Sequence, residues 1–290
     1  MVARPAIRGW AGLPGPLPAV TDKEKMKIKT IFEQPVLALL AAMVVAWCAT
    51  PTPGFAASMT SQPTNVSPSS QNAAADLCAN SLVPVKQGAT WTYKNTGVTS
   101  NTMTGTATIS AVRPDGFTVS TNIDGMAASH EWKCTGAGMS SPTLSTIQTT
   151  FDTPLPGING YINTYDPTGV MLPANPQQGQ TWQYVLGVTG WLAQGNNKAN
   201  ADGKVTTTFT HAGMESVTVP AGTFNANKIT AKTMINEGVN FHGFNVPVTG
   251  EIDSTFWFAP NVGWVKAVNT GNLPGYSLNS TTDLQSYNIP

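Results

Sequence analysis

From residue 102 onward, apolar and polar residues change places in short runs. TMTGTATISAV (102–112), GFTVSTNI (116–123), KVTTTFTHA (204–212), ESVTV (215–219), NKITAKTMI (227–235) and STFWFA (254–259) alternate or are dense in Thr, Val, Ile and aromatics. A period of two puts every second side chain on one face, as a half-buried strand requires. Gly, Pro and Asn punctuate the runs, which predicts short antiparallel strands joined by turns. No stretch of the exported part repeats apolar residues at the 3.6-residue helical period. The pattern predicts an all-β chain: an antiparallel meander forming a curved sheet, an open barrel or a sandwich.

One phrase is written twice. GATWTY occupies 88–93 and GQTWQY occupies 179–184. Each is followed by a Pro-x-Gly turn between apolar runs, Pro114-Asp115-Gly116 and Pro220-Ala221-Gly222. Then Trp132 precedes Gly138 by six residues, and Trp257 precedes Gly263 by six. Three echoes in one order predict an internal duplication, with halves at about 77–170 and 171–290 of a β-domain spanning 77–290. Residues two apart on a strand share a face, so Trp91 and Tyr93 go together, as do Trp182 and Tyr184. With Trp132 and Trp257 these are the expected structural core, because burying one Trp removes on the order of 200 Å² from water.

The N-terminus sets the compartment. From Met26, Lys27 and Lys29 precede an unbroken apolar run, Val36 to Cys48, and then small residues around Ala56 and Ala57. That order is a secretory signal over 26–57. The run is shorter than the roughly 20 residues a spanning helix needs, so no integral membrane span is expected after its removal. The product is secreted, periplasmic or held at the cell surface. Trp47 stands where lipoprotein signals carry a small residue, which disfavours anchoring at Cys48. Residues 1–25 read as an N-terminal extension or as the product of a mis-called start, and 58–76, rich in Ser, Asn, Gln and Pro, as a disordered tether.

Removing residues 1–57 takes Lys plus Arg from fifteen to nine and Asp plus Glu from fifteen to twelve, a net charge near −3. Without a basic cluster, neither nucleic acid nor an anionic membrane is an expected partner. Two cysteines remain, Cys78 and Cys134, and an even count in an exported chain predicts a disulfide. They do not make up a metal site, and no cofactor fingerprint is present.

ESVTVPAGTFNANKI (215–229) and FWFAPNVGWVKA (256–267) resemble the C-terminal signature of TapB-like proteins and related bacterial exported domains of unknown function. Phe258, Asn261 and Trp264 depart from the usual Tyr, Gly and Leu of that pattern. The resemblance covers about 77–270, and it implies an envelope β-domain with no catalytic residues to transfer.

The sequence itself shows no Gly-x-Ser-x-Gly elbow, and His130, His211 and His242 fall on or beside separate strands. Asp152, Asp166, Glu215, Glu251 and Asp253 could supply a glycosidase pair, yet nothing in their spacing singles two of them out. Binding is the more natural use. The aromatics that the repeat does not explain are Trp191, Phe241 and Phe244, with His242, in second-half insertions, and Tyr161 and Tyr165 in the joining segment. Placed in irregular loops beside Asn and Gly, they form the expected ligand site. The reading is a non-catalytic exported protein that binds a small ligand or envelope component. A secreted carbohydrate hydrolase and a purely structural surface protein are the alternatives.

Overall fold

A computed structural model describes residues 77–97, 102–141, 150–151, 158–194, 197–241, 244–273 and 276–290. The signal, the tether, Cys48, Asp152 and His242 lie outside the described residues. The first half supplies β1 (Thr90–Thr96), β2 (Met103–Arg113), β3 (Gly116–Ile123), β4 (Met126–Thr135) and β5 (Gly138–Ser140). β6 (Thr150–Phe151), β7 (Ile158–Gly169) and β8 (Leu172–Pro173) lead to the second half. There follow β9 (Thr181–Gln194), β10 (Asn197–Val219), β11 (Gly222–Phe241), β12 (Phe244–Ala259), β13 (Gly263–Leu273) and β14 (Tyr276–Asn288).

All pairings are antiparallel in one sheet ordered β6-β7-β9-β10-β11-β12-β13-β14-β1-β2-β3-β4-β5-β8. Among the described residues there is no helical element. The sheet curves without closing its ladder into a barrel, yet its two ends are neighbours along the chain. β7 and β8 are separated only by Val170 and Met171, and Met171 N–H donates to Met139 O at 3.0 Å.

The repeated phrase recurs as one local geometry. Gly88 and Gly179 adopt φ of +84° and +82°, a conformation Gly takes without the Cβ penalty. Gly88 N–H donates to Ile109 O, and Ile109 N–H returns to Ala89 O; Gly179, His211 and Gln180 repeat the exchange. In each half a bulge follows at once, after Ile109 in β2 and after His211 in β10. His211 therefore occupies the place of Ile109. The third echo is offset. Counting across the ladders, Ile109 faces Val119 and Val119 faces His130, whereas His211 faces Ile229 and Ile229 faces Phe256. Two residues further on, Trp132 corresponds to Phe258 and not to Trp257.

Each Trp-x-Tyr donates beyond its own ladder partners, and Trp91, Tyr93 and Tyr184 reach across the boundary between the two halves. Trp91 Nε1 donates to Val262 O at 2.6 Å and Tyr93 Oη to Trp264 O at 2.9 Å. Trp182 Nε1 donates to Met171 O at 3.2 Å, and Tyr184 Oη to Ser141 O at 2.7 Å. Trp91, Tyr184 and Trp257 are buried, while Tyr93, Trp132 and Trp182 are partly buried against the same core as Ile109, Phe117, Ile229, Val265 and Leu284. Burial pushes the Tyr184 phenol up to about 12 and carries that of Tyr93 higher still.

The strands are longer than the alternation predicts. β10 runs for 23 residues and β11 for 20, and the second-half insertions extend strands where irregular loops were expected. Trp191 lies in β9, Tyr161 and Tyr165 in β7, Phe241 in β11 and Phe244 in β12. Gly and Asn do not break these strands, because strand preference follows packing more than intrinsic propensity. Gly187 shows how: a Cβ there would come within 2.4 Å of the Tyr165 ring that lies over it.

Cys78 and Cys134 form a disulfide with Cα atoms 5.1 Å apart, tying the segment before β1 to β4. Spanning a separation of 56 residues, it is worth about 4 kcal/mol in the chain-entropy account. Alkylation before reduction should label neither thiol, and reduction should lower the melting temperature. Labelling of both beforehand would remove the bridge. Tyr93→Phe deletes one bond of the clasp and should cost about 1 kcal/mol in denaturant unfolding.

Candidate functional site

A belt of buried polar residues crosses one face of the sheet. Tyr184 of β9 faces Thr207 of β10, which faces Thr233 of β11. One step along, Ser254 of β12 faces Asn269 of β13, which faces Ser280 of β14, and Thr282 of β14 faces Asn95 of β1. Every one of these polar side chains is buried, Asn269 completely. On one side of the belt lies the main core. On the other lies a second buried group, among it Val205, Ile235, Val248, Ile252 and Leu278.

The belt satisfies itself only in part. Thr207 and Thr233 hydroxyls pair at 2.9 Å, Asn95 Nδ2 donates to Thr282 Oγ1 at 2.6 Å, and Asn269 Nδ2 donates to Ser280 Oγ at 3.2 Å. Asn95 Oδ1, Asn269 Oδ1 and Ser254 Oγ are buried without a protein partner. An unmade hydrogen bond at a buried polar atom costs about 1–3 kcal/mol, so three in one belt call for water or a ligand.

Three titratable groups share this condition. Both ring nitrogens of His211 and Nε2 of His130 are buried without partners, as is Glu237 Oε2. Burial lowers the His130 pKa. Glu237 lies in the second apolar group, facing Gly203 and Val248 across the ladders, with Ile235 and Val239 two residues to either side. Burial first, and the nearby Asp202 second, push its carboxyl up to about 7.

The residues expected to form the ligand site come to one end of the long strands, but the pleat divides them. Tyr161 faces Trp191, Trp191 faces Asn200, Asn200 faces Asn240 and Asn240 faces Asn245, one row across five strands. Phe241 and Phe244 face each other and fall on the alternate row, with Ala199 opposite Phe241. That row continues Val239 and Glu237, the concave side. Tyr165 lies further along β7, with its hydroxyl 3.4 Å from Asp202 Oδ2.

The carboxylates considered for hydrolysis are spread over the surface. Glu215 accepts from Lys228 Nζ at 2.8 Å and from Trp257 Nε1 at 3.1 Å. These two bonds hold its pKa below the usual value. Glu251 and Asp253 share Lys232. Asp166 is exposed at the β7 bulge. Among the described residues, no cluster of three His, Cys, Asp or Glu gathers that could hold a metal ion.

A family model described as DUF3108-like matches residues 128–278, more than half of the chain. The chain belongs to the DUF3108-like family. The TapB-like name is not confirmed by this match. Three solved structures are similar to this DUF3108-like chain. A protein described as a lipoprotein, from Parabacteroides distasonis, is 19% identical over 73% of this chain and 99% of its own, with a TM-score of 0.40. An exported protein of YmcC-like fold from Bacteroides fragilis is 17% identical over 73% and 100%, with a TM-score of 0.39. The hypothetical lipoprotein YmcC from Escherichia coli is 10% identical over 80% and 100%, with a TM-score of 0.32. Two of the three are described as lipoproteins. No curated protein matches the chain.

Sequence reasoning missed Asn95, Asn269, Ser254 and Glu237. Glu237 carried a visible signal. It interrupts the buried alternation Ile229, Ala231, Thr233, Ile235, Val239 of β11 at a position where an apolar residue is expected.

The Glu237 pKa sets a pH dependence. The folded chain keeps this proton up to about pH 7, while an unfolded chain releases it near 4.5. Its contribution to stability is therefore complete below 4.5 and is lost as pH rises through 7, by up to about 3 kcal/mol. His130 acts oppositely: its lowered pKa removes stability as pH falls below 6.5. Unfolding of the parent and of Glu237→Gln from pH 4 to 8 isolates the first effect. The variant should gain on the parent as pH rises, and parallel curves would place Glu237 in contact with water.

Proposed function

We propose that the chain is an exported bacterial envelope domain that binds a ligand against the concave face of its sheet and does not transform it. The observation that carries this reading is the belt with free Asn95 Oδ1, Asn269 Oδ1 and Ser254 Oγ. A belt of hydrogen-bonding groups between two apolar layers is complementary to an amphiphile, with a polar group at the belt and apolar parts to either side. Phe241 and Phe244 pair at the far end of β11 and β12.

Two arrangements speak against catalysis. Ser254 faces Ala231 and Asn269 across the ladders, with neither a base nor an orienting carboxylate in register beside it. Glu215 pairs with Lys228, and Glu251 and Asp253 are drawn to one ammonium, Lys232, in surface ion pairs and not to a cleft. Export rests on the signal read at 26–57. The cleavage point relative to Cys48 decides between a lipid-anchored and a free domain.

Ser254→Ala removes a buried hydroxyl that has no protein partner. It should raise the stability of the ligand-free domain by about 1 kcal/mol, a shift of about 2–4 °C in melting temperature. Protein prepared from the envelope should carry a small molecule by native mass spectrometry, and Ser254→Ala and Asn269→Leu should lose it. Protein that arrives empty, together with destabilisation by Ser254→Ala, would make the belt a structural network only.

A further inference from the structure

We propose that the opposite face of β9–β12, at the end away from Trp182 and Tyr184, is a second site and takes an acidic saccharide. The observation is the row Trp191, Asn200, Asn240, Asn245, which belongs to neither buried group of the sheet. Register places these residues on adjacent strands. The three asparagines are exposed, and Trp191 is half-buried. Neighbouring strands are about 4.8 Å apart, so the three carboxamides recur at a spacing of the order of one pyranose ring. Each presents both a donor and an acceptor, the pairing that vicinal hydroxyls need. Glycine makes room for the last of them: a Cβ on Gly238 would come 2.9 Å from Asn245 Oδ1.

Charge decides the class of saccharide. Lys198 Nζ lies 4.6 Å from the centroid of the Trp191 ring, and among the described residues it has no acidic partner. A neutral sugar stacking on that indole would have to displace the ammonium and leave it without compensation. A uronic acid replaces the lost contact: its ring covers the indole, its carboxylate pairs with the displaced Lys198 ammonium, and its hydroxyls meet the asparagines. Asp202, the nearest acid on β10, lies beyond Asn200 with its Oδ2 beside the Tyr165 hydroxyl. The acidic group of the ligand is therefore confined to the Lys198 end.

The test uses the mature chain with oligogalacturonate and, as the neutral counterpart of equal length, a malto-oligosaccharide, in isothermal titration calorimetry at low and high salt. The acidic oligomer should bind, and binding should weaken with salt. Trp191→Ala should lower its affinity about tenfold or more with little change in melting temperature. Lys198→Gln should weaken it and flatten the salt dependence. If Trp191→Ala unfolds the domain, Asn240→Ala is the second variant, and it too should weaken binding. Equal binding of the neutral oligomer, or no binding of the acidic one at millimolar concentration, overturns the proposal. Ser254→Ala should leave this binding unchanged, so failure here is separate from failure of the concave site.

Discussion

A sheet of fourteen antiparallel strands twists as it widens, and its two ends must be covered or joined if they are not to recruit other chains. The ladder itself does not make the join. It is made by Trp182 and Tyr184 of β9, which donate to Met171 and Ser141 beside β8 and β5, while Trp91 and Tyr93 of β1 donate over β14 into the β12–β13 turn and β13 and brace the middle of the sheet. Each donor is an aromatic whose ring is packed against the core, so the hydrophobic contribution and the hydrogen bond act on the same side chain. The curvature in turn encloses one face and leaves the other exposed, and both candidate sites follow from that difference.

How much of this was legible in the sequence depends on which signal carried it. The phrase Gly-x-Thr-Trp-x-Tyr encodes a local turn with a positive-φ glycine, and local geometry survives translation from sequence to structure. The Trp132 and Trp257 echo does not encode register. Counted across the ladders, the counterpart of Trp132 is Phe258, one residue from Trp257, and one residue changes the face. The same rule divides the expected site. Trp191 and Phe241 are near one another at the end of the long strands, but proximity along a sheet says nothing of side. The insertions misled for a related reason: Gly187 and Gly190 look like loop residues until a partner strand is supplied, and in β9 the absence of a side chain at 187 is what admits the Tyr165 ring.

The buried polar belt was the least legible feature. Thr, Ser and Asn belong equally to exposed strand faces and to buried ones, and alternation alone does not say which face is covered. Only the pairing of Asn95 with Thr282, across 187 residues of chain, brings these groups into one line. Glu237 is different, since a carboxylate on the apolar parity of a strand violates the pattern within a single segment.

These violations bear on function because they oppose stability. His211 stands where the first half of the chain carries Ile109, a residue that is 1% exposed, and the histidine has both ring nitrogens buried without partners. Returning it to isoleucine would fill the place with the side chain its counterpart already accommodates and remove two unmade hydrogen bonds. Asn269, Ser254 and Glu237 pose the same comparison against apolar replacements. A fold held together by four aromatics has little need of polar atoms in its interior. Groups that lower stability where they stand, and that gather on one enclosed face, are most simply accounted for by what that face receives.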